Sequence, residues 1–240
     1  MGARNGVTAA IMVQAGFTGV WDVLEGEHNV LQALSTQPKP EEMLAGLGSR
    51  YFVTETAIKT FSVGYPIQAA LDAFLALHKQ HSLRVQNVTR IVVRLPEDGA
   101  RIVDNSAMPD VNLQHLVALA LVEGEVSFED SHSHARMADP QVLAAKQRVS
   151  LVADRSLMDP DAPRSARVEV TLQDGRTVSH FTRHPPGTKE NPLDTAGVNA
   201  KVRDLMAPVL GRERTEAVIE RINSLEELDD MRALRPLLTL

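Results

Sequence analysis

Residues 59–80 read KTFSVGYPIQAALDAFLALHKQ, a short lysine-bearing turn that runs directly into a helical pattern. Pro66 suits the first turn of a helix, because the N–H that proline lacks would have no intrahelical partner there. The side chains that then recur at helical spacing are Ile67, Ala70, Leu71, Phe74 and His78. This periodicity predicts an amphipathic helix over residues 65–80.

Strand patterns and further helical patterns follow this helix. Residues 168–181 predict a hairpin, in which Asp174-Gly175 supplies the positive φ angles of a tight two-residue turn. The other predicted strands are residues 85–95 and 149–154, and the other predicted helices are residues 111–122 and 139–147.

The patterns divide the chain into three segments. Residues 1–55 are helical in character, residues 56–184 mix strands with helices, and residues 185–240 return to helix after a Pro-Pro-Gly linker. This order predicts an α+β fold with helical-bundle segments at both ends. Residues 7–13 already have the composition of a core helix, whereas most domains begin with a polar lead-in. We therefore expect the chain to lack the first part of a larger fold.

Composition limits the classes of function. Hydrophobic residues make up 43% and charged residues 23% of the chain, which is typical of a globular protein. The formal net charge of −6 offers no basic excess to neutralise phosphates, so no nucleic-acid partner is expected. No apolar stretch approaches the roughly 20 residues that span a bilayer, so no membrane partner is expected. The absence of cysteine excludes disulfides and thiolate metal sites and favours a cytoplasmic location.

The turn before the predicted helix is a candidate carboxylate receptor. A helix N-terminus has unpaired N–H groups and about half a unit of positive charge, and Lys59 and the Ser62 hydroxyl precede it closely. Gly64 would let the backbone, with its exposed N–H groups, approach a ligand. The alternative is a solvated lysine beside an ordinary helix cap, and the residues alone leave both interpretations open.

Residues 59–73 resemble the lysine-plus-helix motif of the MmgE/PrpD family, which includes 2-methylcitrate dehydratase and cis-aconitate decarboxylase. Three other stretches resemble the same family in the same order, namely residues 2–19, 108–118 and 225–238. The order and spacing of these motifs over nearly the whole chain carry the resemblance.

The resemblance implies a helical domain with an inserted α+β lid domain. Residues 1–55 would be the last part of the helical domain, residues 56–184 the lid, and residues 185–240 the C-terminal helices that return to the helical domain. The chain would then hold the C-terminal half only. In the family, the first half supplies acidic and histidine groups to the active site.

The resemblance also implies candidate catalytic residues. Lys59 matches the lid lysine that borders the family's active site. Gly64 falls where the decarboxylase has a catalytic histidine, and Val103 falls near a lid tyrosine that the decarboxylase uses. Tyr65 is the candidate that could transfer a proton in place of the missing imidazole. These departures count against decarboxylation.

Four residues are candidates for substrate binding: Arg4, Ser62, Gly64 and Gln68. Arg4 falls where the decarboxylase has a second active-site lysine, and a guanidinium can hold a carboxylate through two hydrogen bonds. Gln68 falls where several relatives have another histidine.

The expected activity is that of a lyase, a hydro-lyase similar to 2-methylcitrate dehydratase. It would act on a small polycarboxylate by removing a proton next to a carboxylate, with Arg4 and Lys59 stabilising the enolate-like charge. The resemblance implies no metal or organic cofactor, and we expect a homodimer. An isomerase or epimerase of a related dicarboxylate is a close alternative. A non-catalytic fragment or dimerisation module is an alternative from another class.

The histidines allow one competing hypothesis. His132 and His134 would face the same way on a strand, where they could bind a metal. Their segment is polar and loop-like and has no further ligand at a known spacing, so the sequence favours no metal. His115 lies within the predicted helix 111–122, and we expect it to be a packed or an interdomain residue.

Overall fold

The computed structural model describes residues 1–239 and separates two units, residues 1–52 and a larger unit that begins at Val53. The N-terminal unit contains α1 (Gly2–Gln14), α2 (Val30–Leu34) and a 3-10 turn (Pro40–Met43). Asn29 caps α2, because its side-chain oxygen accepts hydrogen bonds from the N–H groups of Leu31 at 2.9 Å and Gln32 at 3.1 Å.

The first helix is confirmed, but its expected burial is not. None of the residues of α1 is buried, and Val7, Ile11 and Val13 are 62%, 59% and 66% exposed. The prediction of a core helix over residues 7–13 is therefore wrong for the described chain. An apolar stripe forms a helix from local periodicity, but it is buried only where another element covers it.

The larger unit combines helices with a four-stranded sheet, which confirms the α+β class. Its helices are α3 (Gln68–His81), α4 (Glu97–Val103), α5 (Leu113–Glu123), α6 (Phe128–His132), α7 (His134–Met137), α8 (Pro140–Lys146), α9 (Thr195–Leu210), α10 (Arg212–Asn223) and α11 (Arg235–Leu238). Its strands are β1 (Val88–Leu95), β2 (Val149–Ala153), β3 (Ala166–Leu172) and β4 (Thr177–Thr182). Short 3-10 turns occur at Phe52–Glu55, Tyr65–Ile67, Pro109–Val111, Arg155–Leu157, Leu225–Glu227 and Met231–Leu234.

The strands lie in the order β2-β1-β3-β4. β1 and β2 run parallel, with Val93 opposite Leu151, whereas β3 is antiparallel to both β1 and β4. Parallel neighbours cannot be joined by a tight turn, and helices α4 to α8 form the crossover between β1 and β2.

The core lies between one face of this sheet and helices that include α3 and α5. The buried side chains of β3 are Ala166, Val168, Val170 and Leu172, and they alternate with more exposed ones. This alternation shows that only one face of β3 is covered. Phe74 of α3 and Leu116 of α5 are fully buried in the same cluster. The Thr182 hydroxyl donates to the Asp72 carboxylate at 2.6 Å and ties β4 to α3.

The hairpin is confirmed, but its turn is longer than expected. The N–H of Leu172 donates to the carbonyl of Arg176 at 2.8 Å, so three residues lie between this pair. Gly175 has a φ of 84°, whereas Asp174 does not have a positive φ. A two-residue type I′ turn needs positive φ at both central residues. The prediction of that turn is therefore wrong.

The remaining predicted elements can be compared with the structure directly. The helices expected over residues 65–80, 111–122 and 139–147 are α3, α5 and α8, and the strand expected over residues 85–95 contains β1. His132 and His134 lie on the short helices α6 and α7, so their strand interpretation is wrong. The lid arrangement and the boundaries after residues 55 and 184 stay predictions. The described helices do not include one long and apolar enough to cross a membrane.

Candidate functional site

The segment that precedes α3 is a turn closed around the carbonyl of Val63. The Lys59 ammonium donates a hydrogen bond to this carbonyl at 3.0 Å, and the lysine remains exposed. The chain then enters α3 through the 3-10 turn that begins at Tyr65. Lys59 and Ser62 therefore do lie just before the helix, and their roles in catalysis and binding stay predictions.

Gln68 holds this turn in shape from the first residue of α3. Its side chain is buried, and its Nε2 donates to the carbonyls of Phe61 at 2.8 Å and Val63 at 3.3 Å. Its Oε1 accepts from the N–H of Phe61 at 3.1 Å. Both amide protons and the carbonyl are thus engaged within the protein. The structure gives Gln68 a positioning role, and direct contact with substrate stays a prediction.

The backbone N–H of Gly64 is engaged within the protein. Its N–H donates to the carbonyl of Asp110 at 2.8 Å, so this N–H is already paired within the protein. Its φ is −50°, and an added Cβ would lie 3.6 Å from that carbonyl oxygen, an ordinary contact. The position therefore has room for a Cβ, and the role of Gly64 in substrate binding stays a prediction.

A second loop fixes the segment that carries Lys59. The N–H of Ile58 donates to the carbonyl of Gly187 at 2.8 Å, and the Thr60 hydroxyl donates to the carbonyl of Pro186 at 2.9 Å. Gly187 has a φ of 91°, and an added Cβ would lie 1.8 Å from the carbonyl oxygen of Ile58. Only glycine fits this close approach.

Lys201 of α9 joins the same turn and is the residue that the sequence did not reveal. Its ammonium donates to the carbonyl of Lys59 and lies 3.5 Å from the Ser62 hydroxyl. The structure thus brings two lysines and one hydroxyl together. A single lysine on the flank of an amphipathic helix carries no local signal of this contact, because the partners are 142 residues apart.

Burial and a like charge act on Lys201. Burial of the side chain is the main cause that lowers the pKa of Lys201 from its ordinary value, and the positive charge of Lys59 lowers it further. Asp204, three residues later on α9, acts in the opposite direction. The two lysines therefore form a positive site in which Lys201 loses its proton more readily than a free lysine.

Tyr65 faces a different concavity, a cleft of about 510 Å³. Arg164, Arg183 and Lys189 also line this cleft. Each of these cations has an acidic partner: Asp98 at 2.8 Å, Asp159 at 2.8 Å and Glu55 at 3.6 Å, respectively. Cations that are already paired attract a further anion weakly, so this cleft is a poorer carboxylate site than the Lys59 turn. The catalytic role of Tyr65 stays a prediction.

Arg4 lies in the other unit of the chain, on α1. It is exposed, and its Nη2 lies 3.4 Å from the sulfur of Met1. The cooperation of Arg4 with Lys59 stays a prediction.

Two further positions present no group to a ligand. Val103 is fully buried in the core. His115 is also fully buried, as expected, and neither ring nitrogen has a hydrogen-bond partner in the described part of the chain. Burial, with smaller contributions from Lys146 and Arg136, lowers the pKa of His115 to about 4. Within residues 1–239, no group of three or more His, Asp or Glu side chains is arranged to hold a metal.

Comparison with known proteins assigns the chain to a class. The profile described as the MmgE/PrpD C-terminal domain matches residues 61–227. The chain belongs to the MmgE/PrpD family, as its motifs indicated.

Two curated relatives come from Aspergillus species. The chain is 24% identical to the cis-aconitate decarboxylase-like protein oryM of Aspergillus oryzae, over 99% of this chain and 53% of that protein. It is 22% identical to a cis-aconitate decarboxylase of Aspergillus terreus, over 98% of this chain and 52% of that protein. The chain spans about half the length of the curated relatives that it matches.

Proposed function

We propose that this chain carries a lyase activity that acts on a small polycarboxylate by removing a proton next to a carboxylate. The observation that supports this proposal most directly is the convergence of Lys59, Lys201 and Ser62 on the turn before α3. Family membership and the names of the curated relatives support lyase chemistry.

The chemistry of the turn suits this reaction. Removal of a proton next to a carboxylate places additional negative charge on the substrate, and fixed cations stabilise that charge in the transition state. Lys59 and Ser62 would bind one carboxylate of the substrate. The arrangement in which residues 56–184 form a lid between helical segments is part of the same proposal.

We favour loss of water over loss of carbon dioxide. Gly64 falls where the decarboxylase of this family has a catalytic histidine, and it has no side chain that could donate a proton. An isomerase or epimerase of a dicarboxylate remains the close alternative, because removal and return of a proton require the same groups.

Proton exchange tests the proposal and separates these reactions. The purified chain is incubated in D₂O with citrate, 2-methylcitrate and cis-aconitate, and the substrate C–H signals are followed by NMR. We expect exchange together with an olefinic product from the hydroxy acids. Exchange without a new product would indicate the isomerase or epimerase, and loss of one carboxyl group would indicate a decarboxylase. Absence of exchange with all three acids would contradict catalysis by this chain.

Two lysine variants serve as a matched pair in this assay. Lys59→Met removes the charge that would hold the substrate carboxylate, and it should abolish exchange. Lys79→Met makes the same change near the other end of α3, where the lysine is exposed, and should leave exchange unchanged. Equal rates in the two variants would remove Lys59 from the mechanism.

A second candidate function is a non-catalytic dimerisation module in a cytoplasmic homodimer. The exposed apolar side chains of the N-terminal unit favour it, among them Trp21 at 98% and Val20 at 74% exposure. Exposed apolar patches of this kind mark interaction surfaces. Light scattering coupled to gel filtration should give twice the chain mass, and Trp21→Ser should shift the equilibrium toward monomer. A wild-type chain that is monomeric at all concentrations would contradict the module.

A further inference from the structure

Lys201 and Lys59 reach the same turn in different surroundings. Lys59 is exposed and donates to the carbonyl of Val63 at 3.0 Å. Lys201 is half-buried and arrives from α9, with its ammonium against the Lys59 carbonyl and 3.5 Å from the Ser62 hydroxyl. Of the two, the half-buried lysine has less water around it to stabilise a positive charge.

The charges that face Lys201 act in opposite directions. Lys59 disfavours a second positive charge, and Asp204 favours it. The Asp204 carboxylate also accepts hydrogen bonds from the N–H of Phe128 at 3.1 Å and 3.3 Å, so it is partly engaged by α6. Arg203 of α9 forms an ion pair with Glu216 of α10. Its Nε donates to Glu216 Oε1 at 2.6 Å and its Nη2 donates to Glu216 Oε2 at 2.8 Å. Burial and Lys59 together outweigh Asp204 and lower the pKa of Lys201.

We propose that Lys201 is the base that removes the substrate proton, while Lys59 holds the carboxylate beside it. This inference rests on the proposed function and deepens it, since it divides two chemical tasks between the two lysines. The geometry suits the division, because the exposed Lys59 can meet an incoming anion, while the Lys201 ammonium lies against the Lys59 carbonyl and 3.5 Å from the Ser62 hydroxyl.

The step balances without a co-reactant. The neutral amine of Lys201 takes the proton from the carbon next to the carboxylate, and the C–H electron pair moves toward that carboxylate, beside the Lys59 ammonium. The electron pair then forms the carbon–carbon double bond as the hydroxyl on the neighbouring carbon leaves. The Lys201 ammonium returns its proton to the leaving hydroxyl. Water and an unsaturated acid are released, and Lys201 is neutral again.

Competitive trace labelling measures the proton equilibrium of Lys201 without any assay of activity. The whole chain is labelled with a trace of acetic anhydride over a range of pH, and acetylation of each lysine is read by mass spectrometry. The six lysines are Lys39, Lys59, Lys79, Lys146, Lys189 and Lys201. We expect Lys201 to become reactive at lower pH than exposed Lys79. In Lys59→Met the midpoint of Lys201 should rise, whereas Lys146→Met should leave it unchanged, because Lys146 is not among the charges that act on Lys201.

The exchange assay then tests the catalytic role. Lys201→Arg keeps a cation that binds carboxylates but cannot serve as a base near neutral pH. We expect it to lower kcat for exchange by on the order of 10²-fold or more, with little change in the substrate Kd. The exchange rate of the wild-type chain should rise with pH, and the midpoint of this rise should equal the midpoint that labelling gives for Lys201. Lys59→Arg keeps the positive charge beside Lys201, so it should leave this midpoint unchanged.

The outcomes separate this inference from the proposed function. Exchange at the wild-type rate in Lys201→Arg would overturn the role of Lys201 as the base and leave the lyase proposal standing. A Lys201 midpoint equal to that of Lys79 would overturn the role as well. Absence of exchange in the wild-type chain would overturn both proposals, whatever the labelling shows. A lowered midpoint together with selective loss of kcat in Lys201→Arg would support the inference.

Discussion

The two units of this chain contain helices of nearly equal length with opposite burial. α1 has 13 residues and buries none, whereas α3 has 14 residues and buries Leu71, Phe74 and Leu77 among others. Both sequences have apolar residues at helical spacing. The difference shows that local pattern is enough to form a helix, and that a covering element is needed before the apolar side chains stabilise a fold.

The largest expected effect comes from truncating matched apolar side chains in the two helices. Phe74→Ala should lower the free energy of unfolding of the larger unit by about 3–5 kcal/mol, because it leaves a cavity in a packed core. Ile11→Ala should change stability by less than about 0.5 kcal/mol, because Ile11 is exposed. Urea unfolding followed by circular dichroism measures both. Similar losses in the two variants would show that α1 is covered in solution.

Low pH should lower the stability of the larger unit, because His115 is buried and binds a proton more readily when the chain is unfolded. The folded-state pKa of about 4 lies below the unfolded value of 6.5, so only the unfolded chain binds a proton between these values. Stability should fall by roughly 3 kcal/mol as the pH drops from 6.5 to 4, and this contribution should be constant outside the window. His115→Leu should flatten this fall, and His28→Leu in the N-terminal unit should not. A pH profile unaffected by His115→Leu would contradict the prediction.

The two units also differ in the space around a glycine of positive φ. Gly187 (φ 91°) approaches the carbonyl of Ile58, whereas Gly16 (φ 93°) has no heavy atom within 4 Å of an added Cβ. Gly187→Ala should cost about 2 kcal/mol and also slow substrate exchange, because it displaces the segment of Lys59. Gly16→Ala should cost about 1 kcal/mol, from backbone conformation alone. Thermal unfolding compares them, and equal shifts would argue against the close approach.

The helix caps of the two units are also expected to differ in their contribution to stability. The side-chain oxygen of Asn112 accepts from the N–H of His115 at 2.9 Å, and its Nδ2 donates to the carbonyl of Ser106. Asn112→Ala should cost about 1 kcal/mol of global stability. Asn29→Ala removes the equivalent cap of α2 and should lower local protection without a global loss. Amide hydrogen exchange distinguishes the two, and a global effect of Asn29→Ala would contradict this contrast.

The sequence by itself determined the elements and part of the candidate site. The period of the apolar residues located α3, α5 and α8. The sequence also placed Lys59 and Ser62 just before α3, because both residues lie a few positions ahead of it along the chain. Such features depend on hydrogen bonds and side-chain directions within a few residues.

Only the tertiary structure decided which groups meet and which are covered. The contact of Lys201 with the Lys59 turn joins positions 142 residues apart, and no local pattern encodes it. The engagement of the Gly64 N–H by Asp110 and the exposure of α1 likewise depend on what lies opposite each group in space. Periodicity fixes the direction of a side chain relative to its own backbone, whereas its partner is fixed by the packing of the whole chain.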